Sequence, residues 1–447
     1  MNFLPPNSSE YNSAIVVATR LKNAGFEALL AGGCVRDMIM GRVPRDYDIA
    51  TNANVDDTLE LFPDGITVGK AFGVIRIKLN NFCFEIASFR EDHDYTDGRR
   101  PGSITFTDAK NDALRRDFTV NALFYDPFAE EIRDYVGGYK DIQNKVIRAV
   151  GDPDKRFNED YLRMMRAVRF SGVLGFEINP STLNALKTNA YNIAKISKER
   201  VRDELTLTLT ESLKPGRTVE LLQEIGLLKE ILPEVSATKG QEQPPEFHPE
   251  GDVFEHTVMM LDMMEKKPSL QLAYSVLFHD IGKPPTAKMG ADRLRFDGHA
   301  SVGAKMAVEI MKRLKFSNAD TKTIAFCVEN HMRFMDVRKM RRSTLHRLIA
   351  APTFDIELEL HKLDCLASHG KLLNYNFLIQ AKQSFKAKPS LPKPLVTGED
   401  IIALGIPEGK EVGKWKALVF EAQLEGYFTD RNEALEWVKQ QREKNTN

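Results

Sequence analysis

The stretch GGCVRDMIMGRVPRDYDIATNA, residues 32–53, decides the fold of the first part of the chain. It joins a glycine pair to an Arg-Asp pair and then to two carboxylates, Asp46 and Asp48, on a segment that reads as a β-strand. Because alternate side chains of a strand share a face, both carboxylates can hold hard divalent cations. Glycine backbone can approach phosphates closely and present its N–H groups to them. The order of these residues indicates a surface that binds a polyanion and a metal ion together.

The surrounding segments predict a mixed α/β head. Residues 8–26 read as a helix that ends at Gly25, and FEALLAGG reads as a strand that runs into a glycine turn. DYDIAT, GVIRIKL and FCFEIASF are rich in β-branched and aromatic residues, which favours three further strands. Glu85 in FCFEIASF is a candidate third carboxylate, and a strand residue paired with Arg90 is an equally good interpretation.

Beyond about residue 150 the pattern changes to long helical periodicity with few strand signals, which continues to about residue 385. The proline-rich KAKPSLPKPLVTG, residues 386–398, marks a linker before a helical tail. With 447 residues the chain is long enough for roughly three domains. We expect four segments: a head at 1–150, a helical neck at 151–240, a histidine-containing helical domain at 241–385, and a linker and tail at 386–447.

The composition is that of a cytosolic globular protein. Hydrophobic residues make up 42% and charged residues 28%, and no apolar run approaches the roughly 20 residues of a membrane span. The start, MNFLPPNSSEYNS, lacks the order of a signal peptide. The net charge of -1 leaves nucleic-acid binding to local basic patches, although a solvated face explains most basic runs. The four cysteines contain no CxxC pair, so we expect small core residues.

The motifs resemble, in order and spacing, the class II tRNA nucleotidyltransferase and bacterial poly(A) polymerase family. The matching segments are GGCVRD, DYDIAT, FREDHDYTDGRRPGSITF, RRDFTVNAL, VGDPDKRFNEDYLRMMRAVRFSGVLGFEI, KERVRDEL and PLVTGEDIIALGIPEGKEVG. The resemblance implies an α+β fold: a polymerase-beta-type nucleotidyltransferase head with a mixed sheet, followed by a largely helical neck, body and tail.

The resemblance also implies a reaction. Mg²⁺ held by Asp46 and Asp48, with Glu85 as a further catalytic carboxylate, would let an RNA 3′ hydroxyl attack the α-phosphate of a nucleotide and release pyrophosphate. The implied nucleotide-binding residues are Gly32, Gly33, Arg36, Arg116, Asp117, Asn121, Asp160, Arg163 and Arg166.

Asp160 and Arg163 are the candidates for choosing the base. EDYLRMMRAVRF has helical character, so residues three apart are neighbours on one face. On their Watson–Crick edges, cytosine and adenine each carry an exocyclic amine donor beside a ring-nitrogen acceptor. A carboxylate beside an arginine guanidinium is complementary to this edge in both bases. Guanine and uracil present the reverse order, which leaves buried groups unpaired at roughly 1–3 kcal/mol each. Without the family resemblance, the alternative is that Asp160 and Arg163 form an ordinary ion pair within a helix.

The number of nucleotides added stays open at the level of the motifs. The polar stretch between Arg90 and Arg115, with DGRRPG at its centre, resembles the flexible loop that the family needs for adding A. This favours addition of a complete CCA to tRNA 3′ ends from CTP and ATP. Poly(A) polymerases and A-adding tRNA nucleotidyltransferases share the same head motifs and are the alternatives.

Eight of the nine histidines lie between residues 248 and 369. The segments FEHTVMML, LFHDIGKP, FDGHASVGA, ENHMRF and KLDCLASHG follow the order of HD-type metal phosphohydrolases, with Lys283 close enough to meet a phosphate. The implied metal ligands are His256, His279, Asp280, His299, His331 and Asp364. A divalent transition metal (Mn²⁺, Co²⁺, Ni²⁺ or Fe²⁺) suits such a nitrogen and oxygen ligand set. This domain would then carry phosphohydrolase or phosphodiesterase activity.

Two other classes of function compete with this interpretation. One is a nucleotide-second-messenger hydrolase whose head only binds nucleotide, and the other is an RNA-binding scaffold. The complete DYD, RRD and EDxxR sets argue against the first, and a scaffold leaves both carboxylate clusters unexplained. The expected partners are tRNA or another RNA 3′ end, ATP and CTP, with no membrane and no obligate protein partner.

Overall fold

The computed structural model describes residues 6–68, 73–93, 102–246, 248–385 and 391–446. The chain divides into two units. One comprises Met1–Ala237, Glu265–Leu270 and Ile310–Phe316, and the other comprises Thr238–Met264, Gln271–Glu309 and Ser317–Asn447. Within the described residues, no helix is long and apolar enough to cross a membrane.

A seven-stranded mixed sheet forms the centre of the first unit, in the order β3-β4-β5-β2-β1-β8-β9. Its strands are β1 (Ala28–Ala31), β2 (Asp48–Thr51), β3 (Ile66–Thr67), β4 (Val74–Leu79), β5 (Phe82–Ser88), β8 (Leu123–Asp126) and β9 (Glu131–Asp134). Only β2 and β5 run parallel, and every other neighbouring pair is antiparallel. β6 (Arg90–His93) and β7 (Ser103–Phe106) form a separate antiparallel pair. The predicted mixed sheet with helices is confirmed.

Helices follow and flank this sheet in the first unit. They are α1 (Ser9–Asn23), α2 (Gly33–Ile39), α3 (Val55–Leu61), α4 (Ala109–Arg115), α5 (Gly138–Gln143), α6 (Pro153–Glu159), α7 (Leu162–Leu174), α8 (Pro180–Asn189), α9 (Lys198–Glu211), α10 (Pro215–Glu224), α11 (Leu227–Ile231) and α12 (Pro233–Ser236). Short 3-10 helices cover Thr119–Asn121 and Ala190–Lys195. A core of small and aromatic side chains, including Leu29, Phe89 and Phe124, packs between the sheet and α4.

One prediction about this unit is corrected. The helical stretch around Asp160 is broken, because α6 ends at Glu159 and α7 begins at Leu162. Asp160 lies between them with extended backbone, at φ -145° and ψ 106°. Beyond residue 150 this unit has one short strand among its described residues, β11 (Glu177–Ile178), which pairs in parallel with β10 (Val146–Ile147) and agrees with the few strand signals predicted there.

The second unit is largely helical. It contains α13 (Val253–Met263), most of α14 (Leu270–Phe278), α15 (Lys283–Thr286), β12 (Lys288–Met289), β13 (Leu294–Arg295), most of α16 (His299–Arg313), α17 (Asn318–Asn330), a 3-10 helix (Arg333–Lys339), α18 (Arg342–Ile349), α19 (Phe354–Ala367), α20 (Leu373–Ser384), α21 (Gly398–Ala403), α22 (Lys410–Glu425) and α23 (Arg431–Thr446). β12 and β13 form a hairpin that the helical periodicity did not predict. One core surrounds Phe334 and Phe354, and the tail has its own core around Ile401 and Val438.

Some predictions fall on residues outside the described ranges. These are the centre of DGRRPG, at 97–101, and the first part of the predicted linker, at 386–390. Of the cysteines predicted to lie in the core, Cys34, Cys327 and Cys365 are buried. Cys83 is exposed, because it occupies an outward-facing position of β5.

Candidate active sites

The carboxylates of the opening stretch lie at the start of β2, where Asp48 is the first residue of the strand. Tyr47 is buried and the two aspartates on either side of it are exposed, so Asp46 and Asp48 share a face. Ile49 is in parallel register with Ile86 of β5. Asp48 and Glu85, each one residue earlier, are therefore neighbours on adjacent strands.

The charges at this edge repel one another. Desolvation by the surrounding protein, followed by the charges of Asp46 and Glu85, raises the pKa of Asp48 to about 7, and Arg116 opposes the rise. Glu85 forms an ion pair with Arg76 at 2.6 Å, so the interpretation that paired it with Arg90 is wrong. A divalent cation would relieve this repulsion, and an all-carboxylate donor set suits a hard ion. The residues therefore fit a metal of the Mg²⁺ type.

The glycine turn before α2 accommodates an arginine. Gly32 has a φ of +75°, a conformation that favours glycine, and a Cβ there would lie 2.9 Å from Nη1 of Arg116. Buried Asp112 holds that guanidinium, with 3.0 Å between its Oδ2 and Nη2 of Arg116. Arg116 also donates to the carbonyl oxygen of Asn121 at 3.1 Å. Gly33, with no positive φ, is the first residue of α2.

A chain of hydrogen bonds connects most of the other predicted nucleotide-binding residues. Nη1 of Arg36 donates to Oδ1 of Asn121 at 2.6 Å, and Nδ2 of Asn121 donates to Oδ1 of Asp117 at 3.3 Å. Nε of Arg166 donates to Oδ2 of Asp117 at 2.8 Å. Burial would raise the pKa of Asp117, but Arg166 and Arg163 hold it below its ordinary value. The arginines of the head and of α7 are thus held in one network.

The two predicted base-reading residues do not pair with each other. Asp160 accepts two bonds from the guanidinium of Arg200 in α9, at 3.2 Å and 2.6 Å, and a third from the backbone N–H of Leu162 at 3.1 Å. The alternative of an ion pair between Asp160 and Arg163 is therefore wrong. The two residues are joined by a backbone hydrogen bond instead, which the Arg163 N–H donates to the Asp160 carbonyl oxygen.

Arg163 is buried and is anchored by groups other than those that hold Asp160. Its guanidinium donates to Glu159, to the carbonyl oxygen of Arg156 at 3.0 Å and to the carbonyl oxygen of Arg115 at 3.2 Å. These bonds tie α7 to the end of α4. Each member of the predicted pair is therefore held by different partners.

The six predicted ligands of the second unit converge on one place. His299 Nε2 and His331 Nε2 lie 3.2 Å apart, and Oδ1 of Asp280 lies 3.4 Å and 3.7 Å from them. His256 Nε2 lies 3.1 Å from Oδ1 of Asp364. The ligand atoms of these six residues form two groups of three: His256, His279 and Asp364, and Asp280, His299 and His331. Within each group, the ligand atoms all lie within 4.8 Å of one another. We call these six residues the histidine cluster.

Three of the four histidines in the cluster form a hydrogen bond that favours the metal-binding tautomer. Nδ1 of His279, His299 and His331 each faces the carbonyl oxygen three residues earlier, at 2.7–2.9 Å. A donor at Nδ1 leaves Nε2 free as a ligand atom. Burial, together with the neighbouring imidazoles, lowers the pKa of His331 to about 4, which keeps it in the neutral form that binds metals.

The buried polar atoms of the histidine cluster favour a cation site. Nε2 of His256, Nε2 of His279 and Oδ1 of Asp280 are buried and form no hydrogen bond of good geometry. The two imidazole nitrogens instead lie 3.1 Å from carboxylate oxygens of Asp364 and Asp280. Orphaned buried polar atoms are costly, and a metal ion would satisfy all three. The residues fit a divalent ion with mixed nitrogen and oxygen ligands.

A cavity of about 380 Å³ opens onto the histidine cluster. Lys283, Arg293 and Arg295 contribute positive charge to its lining, and Lys283 donates to both Asp280 and Gln243. A phosphate group suits such a surface.

The structure also identifies site residues that the sequence motifs did not. The Glu250 carboxylate contacts Nδ1 of His256 and lies 2.9 Å from Nδ1 of His248. His248 also lines the cavity. No spacing in the sequence signals this contact. Asp112 was detectable, because it lies three and four residues before Arg115 and Arg116 on α4, a spacing typical of helical ion pairs.

Three family models match the chain. They are "Poly A polymerase head domain" at residues 28–148, "Probable RNA and SrmB- binding site of polymerase A" at 175–238, and "HD domain" at 253–353. The fold and the two sites thus define a nucleotidyltransferase of the polymerase-beta type that also carries an HD domain.

Full-length relatives narrow this class. The CCA-adding enzyme of Bacillus pumilus (strain SAFR-032) is 31% identical over 440 residues, which cover 96% of each chain. The chain belongs to the CCA-adding enzyme family. The match to the CCA-adding enzyme of Geobacillus stearothermophilus is 41% identical but covers 48% of this chain and 54% of that relative.

Solved structures share the fold. The crystal structure of the Bacillus stearothermophilus CCA-adding enzyme in complex with CTP has a TM-score of 0.73 at 24% identity, covering 98% of this chain and 99% of that one. The Thermotoga maritima CCA-adding enzyme complexed with tRNA has a TM-score of 0.62 at 18% identity, covering 99% and 97%.

Proposed function

We propose that this nucleotidyltransferase completes tRNA 3′ ends by adding C, C and A from CTP and ATP. One observation carries the proposal: Arg116, packed on the Gly32 turn, acts electrostatically on Asp48. The carboxylates proposed to bind the metal and the network proposed to bind the phosphates would therefore form one site. The near full-length similarity to a CCA-adding enzyme supports the same substrate.

The chemistry follows from the residues. Asp46 and Asp48, with Glu85 beside them, would hold Mg²⁺, which when bound neutralises the triphosphate and activates the RNA 3′ hydroxyl. Arg36, Arg116 and Arg166 would bind the triphosphate oxygens, and Gly32 would allow their close approach. The hydroxyl then attacks the α-phosphate, the bond to the β-phosphate oxygen breaks, and pyrophosphate leaves.

The base would be selected by the side chains of Asp160 and Arg163. Asp160 accepts from the exocyclic amine of cytosine or adenine, and Arg163 donates to the ring nitrogen. UTP and GTP would leave both groups mismatched. Asp160→Ala is therefore expected to lose discrimination against UTP and GTP while metal binding is retained. Unchanged nucleotide preference in this variant would reject the assignment.

We further propose a division of labour along the chain. Residues 1–150 would catalyse, 151–240 would select nucleotide and contact RNA, and the tail within 386–447 would contact tRNA. The stretch around DGRRPG would serve the addition of A. Because tRNA is the substrate, the enzyme would work in the cytoplasm.

The test uses tRNA transcripts that end before CCA, after C and after CC. Each is incubated with CTP and ATP, separately and together, with Mg²⁺, and products are resolved at single-nucleotide length. We expect extension to stop at one complete CCA. Addition of a single A to the CC end without use of CTP would identify an A-adding enzyme. Long A tracts on any RNA would identify a poly(A) polymerase.

We propose a second activity, hydrolysis of phosphate esters, at the histidine cluster. Its support is the set of orphaned buried ligand atoms beside a cavity with three cationic side chains. The six ligands would hold one or two divalent transition-metal ions (Mn²⁺, Co²⁺, Ni²⁺ or Fe²⁺), which when bound activate water and polarise the phosphate. Lys283, Arg293 and Arg295 would bind the phosphate oxygens and offset their charge.

The hydrolase is tested with a generic phosphodiester and with 2′,3′-cyclic and terminal phosphates on RNA, in the presence of each of these metals in turn. We expect turnover with at least one metal. A protein that binds the metal but stays inert on every substrate would assign the histidine cluster a structural role.

A further inference from the structure

One face of helix α9 carries three charged residues that contact the nucleotide site. Arg200, Glu204 and Glu211 are separated by four and seven residues, so they lie along one side of the helix. Glu204 binds Arg169 at 2.6 Å and lies 3.7 Å from Arg166, and Glu211 binds Arg45, which precedes Asp46. Arg200 binds Asp160. All of these residues are in the first unit.

The contact between Arg200 and Asp160 fixes how the carboxylate is presented. Nη1 donates to Oδ1 at 3.2 Å and Nη2 donates to Oδ2 at 2.6 Å, a two-pronged geometry that only arginine can form. The Leu162 N–H also donates to Oδ1, at 3.1 Å. Oδ1 thus has two donors and Oδ2 has one, which leaves Oδ2 a free acceptor position.

Asp160 needs this support because of its position in the chain. It lies in extended backbone between α6 and α7, where no helix restrains the direction of its side chain. Arg163, by contrast, is fixed by Glu159 and by two backbone carbonyl oxygens. Without Arg200, the backbone N–H of Leu162 would be the one remaining hydrogen-bond donor to the Asp160 carboxylate among the residues that the structure describes.

We propose that Arg200 is the specificity-determining positioning residue of the nucleotidyltransferase site: it aims Oδ2 of Asp160 at the exocyclic amine of the incoming base. The proposal rests on the base-reading role of Asp160 proposed above. A carboxylate held by two prongs cannot turn away from a mismatched carbonyl oxygen, so uracil and guanine meet an acceptor where they need a donor. Arg200 itself would touch neither base nor phosphate.

The experiment compares Arg200→Ala, Arg200→Lys, Asp160→Ala and the double variant Arg200→Ala with Asp160→Ala. Arg202→Ala is the matched control, since Arg202 lies on the same helix but binds Asp203 and the carbonyl oxygen of Lys315. Thermal melting establishes that each variant is folded. kcat/KM is measured for CTP against UTP on tRNA ending before CCA, and for ATP against GTP on tRNA ending in CC.

We expect Arg200→Ala to lower both discrimination ratios at least about tenfold, with Arg200→Lys intermediate because an ammonium keeps the charge without the fork. The double variant should discriminate no worse than Asp160→Ala, since both changes remove the same interaction. Arg202→Ala should keep the wild-type ratios.

Three results would overturn the proposal. If Arg200→Ala slows all four nucleotides equally while Asp160→Ala relaxes discrimination, Arg200 is structural and the base-reading assignment stands. If the double variant is additive, Arg200 acts elsewhere. If Asp160→Ala keeps the wild-type ratios, the base-reading role itself is wrong, and the positioning role fails with it.

Discussion

The two candidate metal sites are built in opposite ways. In the head, Asp46 and Asp48 are exposed, and among the described residues the groups of three or more ligand atoms within 4.8 Å of one another all lie in the second unit. In the histidine cluster the ligands are mostly buried and three imidazoles are oriented by backbone carbonyl oxygens. The difference fits our proposals that a nucleotide completes the head site and that the histidine cluster is formed in advance to hold an ion.

The largest expected effect is on nucleotide addition. Asp48→Asn removes a charge from the carboxylate edge, and we expect the rate of addition to fall by about a thousandfold or more, because the cation that would neutralise the triphosphate loses a charged ligand. Single-turnover extension of tRNA measures the loss. The exposed Asp64→Asn serves as control and should retain wild-type rates. A loss of less than about tenfold in Asp48→Asn would remove the carboxylates from catalysis.

The next effect isolates the histidine cluster. His279→Ala combined with Asp280→Ala should reduce phosphodiester hydrolysis at least a hundredfold and release the bound transition metal, which elemental analysis of the purified protein detects. The matched control is His346→Ala, because His346 stacks on Phe385 outside the cluster. Metal retained at wild-type content in the double variant would show that the ion binds elsewhere.

A smaller effect tests whether the histidine cluster depends on its supporting carboxylate. Glu250 faces Nδ1 of both His256 and His248, so Glu250→Gln should weaken transition-metal affinity by roughly 10–100-fold without changing the ligands themselves. Competition with a metal-binding dye measures the affinity. Exposed Glu309→Gln is the control. Equal affinities in the two variants would mean that Glu250 does not orient the imidazoles.

The smallest effect concerns stability and pH at the head site. The pKa of Asp48 in the folded protein, about 7, lies above its ordinary value of 3.8, so the ionised carboxylate destabilises the fold as pH rises between these values. In chelator, Asp48→Asn should therefore be more stable than wild type at pH 8, by about 1 kcal/mol after allowance for the exposure of the side chain, and no more stable near pH 4.

Denaturant unfolding of both proteins across this pH range measures the difference. Saturating Mg²⁺ should reduce it, because the cation removes the repulsion that the substitution removes. A stability difference that is independent of pH would contradict the electrostatic account of the carboxylate edge.

Much of the head was predictable because its signals are local. The strands that contain Asp48 and Glu85 follow from β-branched and aromatic runs, and the turn at Gly32 follows from the glycine pair. The outward position of Cys83 was also encoded, since β5 alternates between buried and less buried residues. Composition alone had suggested a core residue there.

The contacts that support the sites were not predictable, because they join distant parts of the chain. Arg200 lies 40 residues from Asp160, and nothing in either segment specifies their pairing. The helix break at Asp160 is hidden by apolar periodicity that continues on both sides of it. Glu250 lies in the loop before α13, and no regular sequence spacing relates it to His256, which it contacts.

The central claim is that one chain carries two chemically independent sites, and one crossed assay tests it most directly. Addition of CCA to tRNA and hydrolysis of a phosphodiester are both measured in wild type, in Asp48→Asn and in the His279→Ala and Asp280→Ala double variant. We predict that each variant loses one reaction and keeps the other within about twofold. If either variant remains folded and loses both reactions, the two sites are not independent and the account is contradicted.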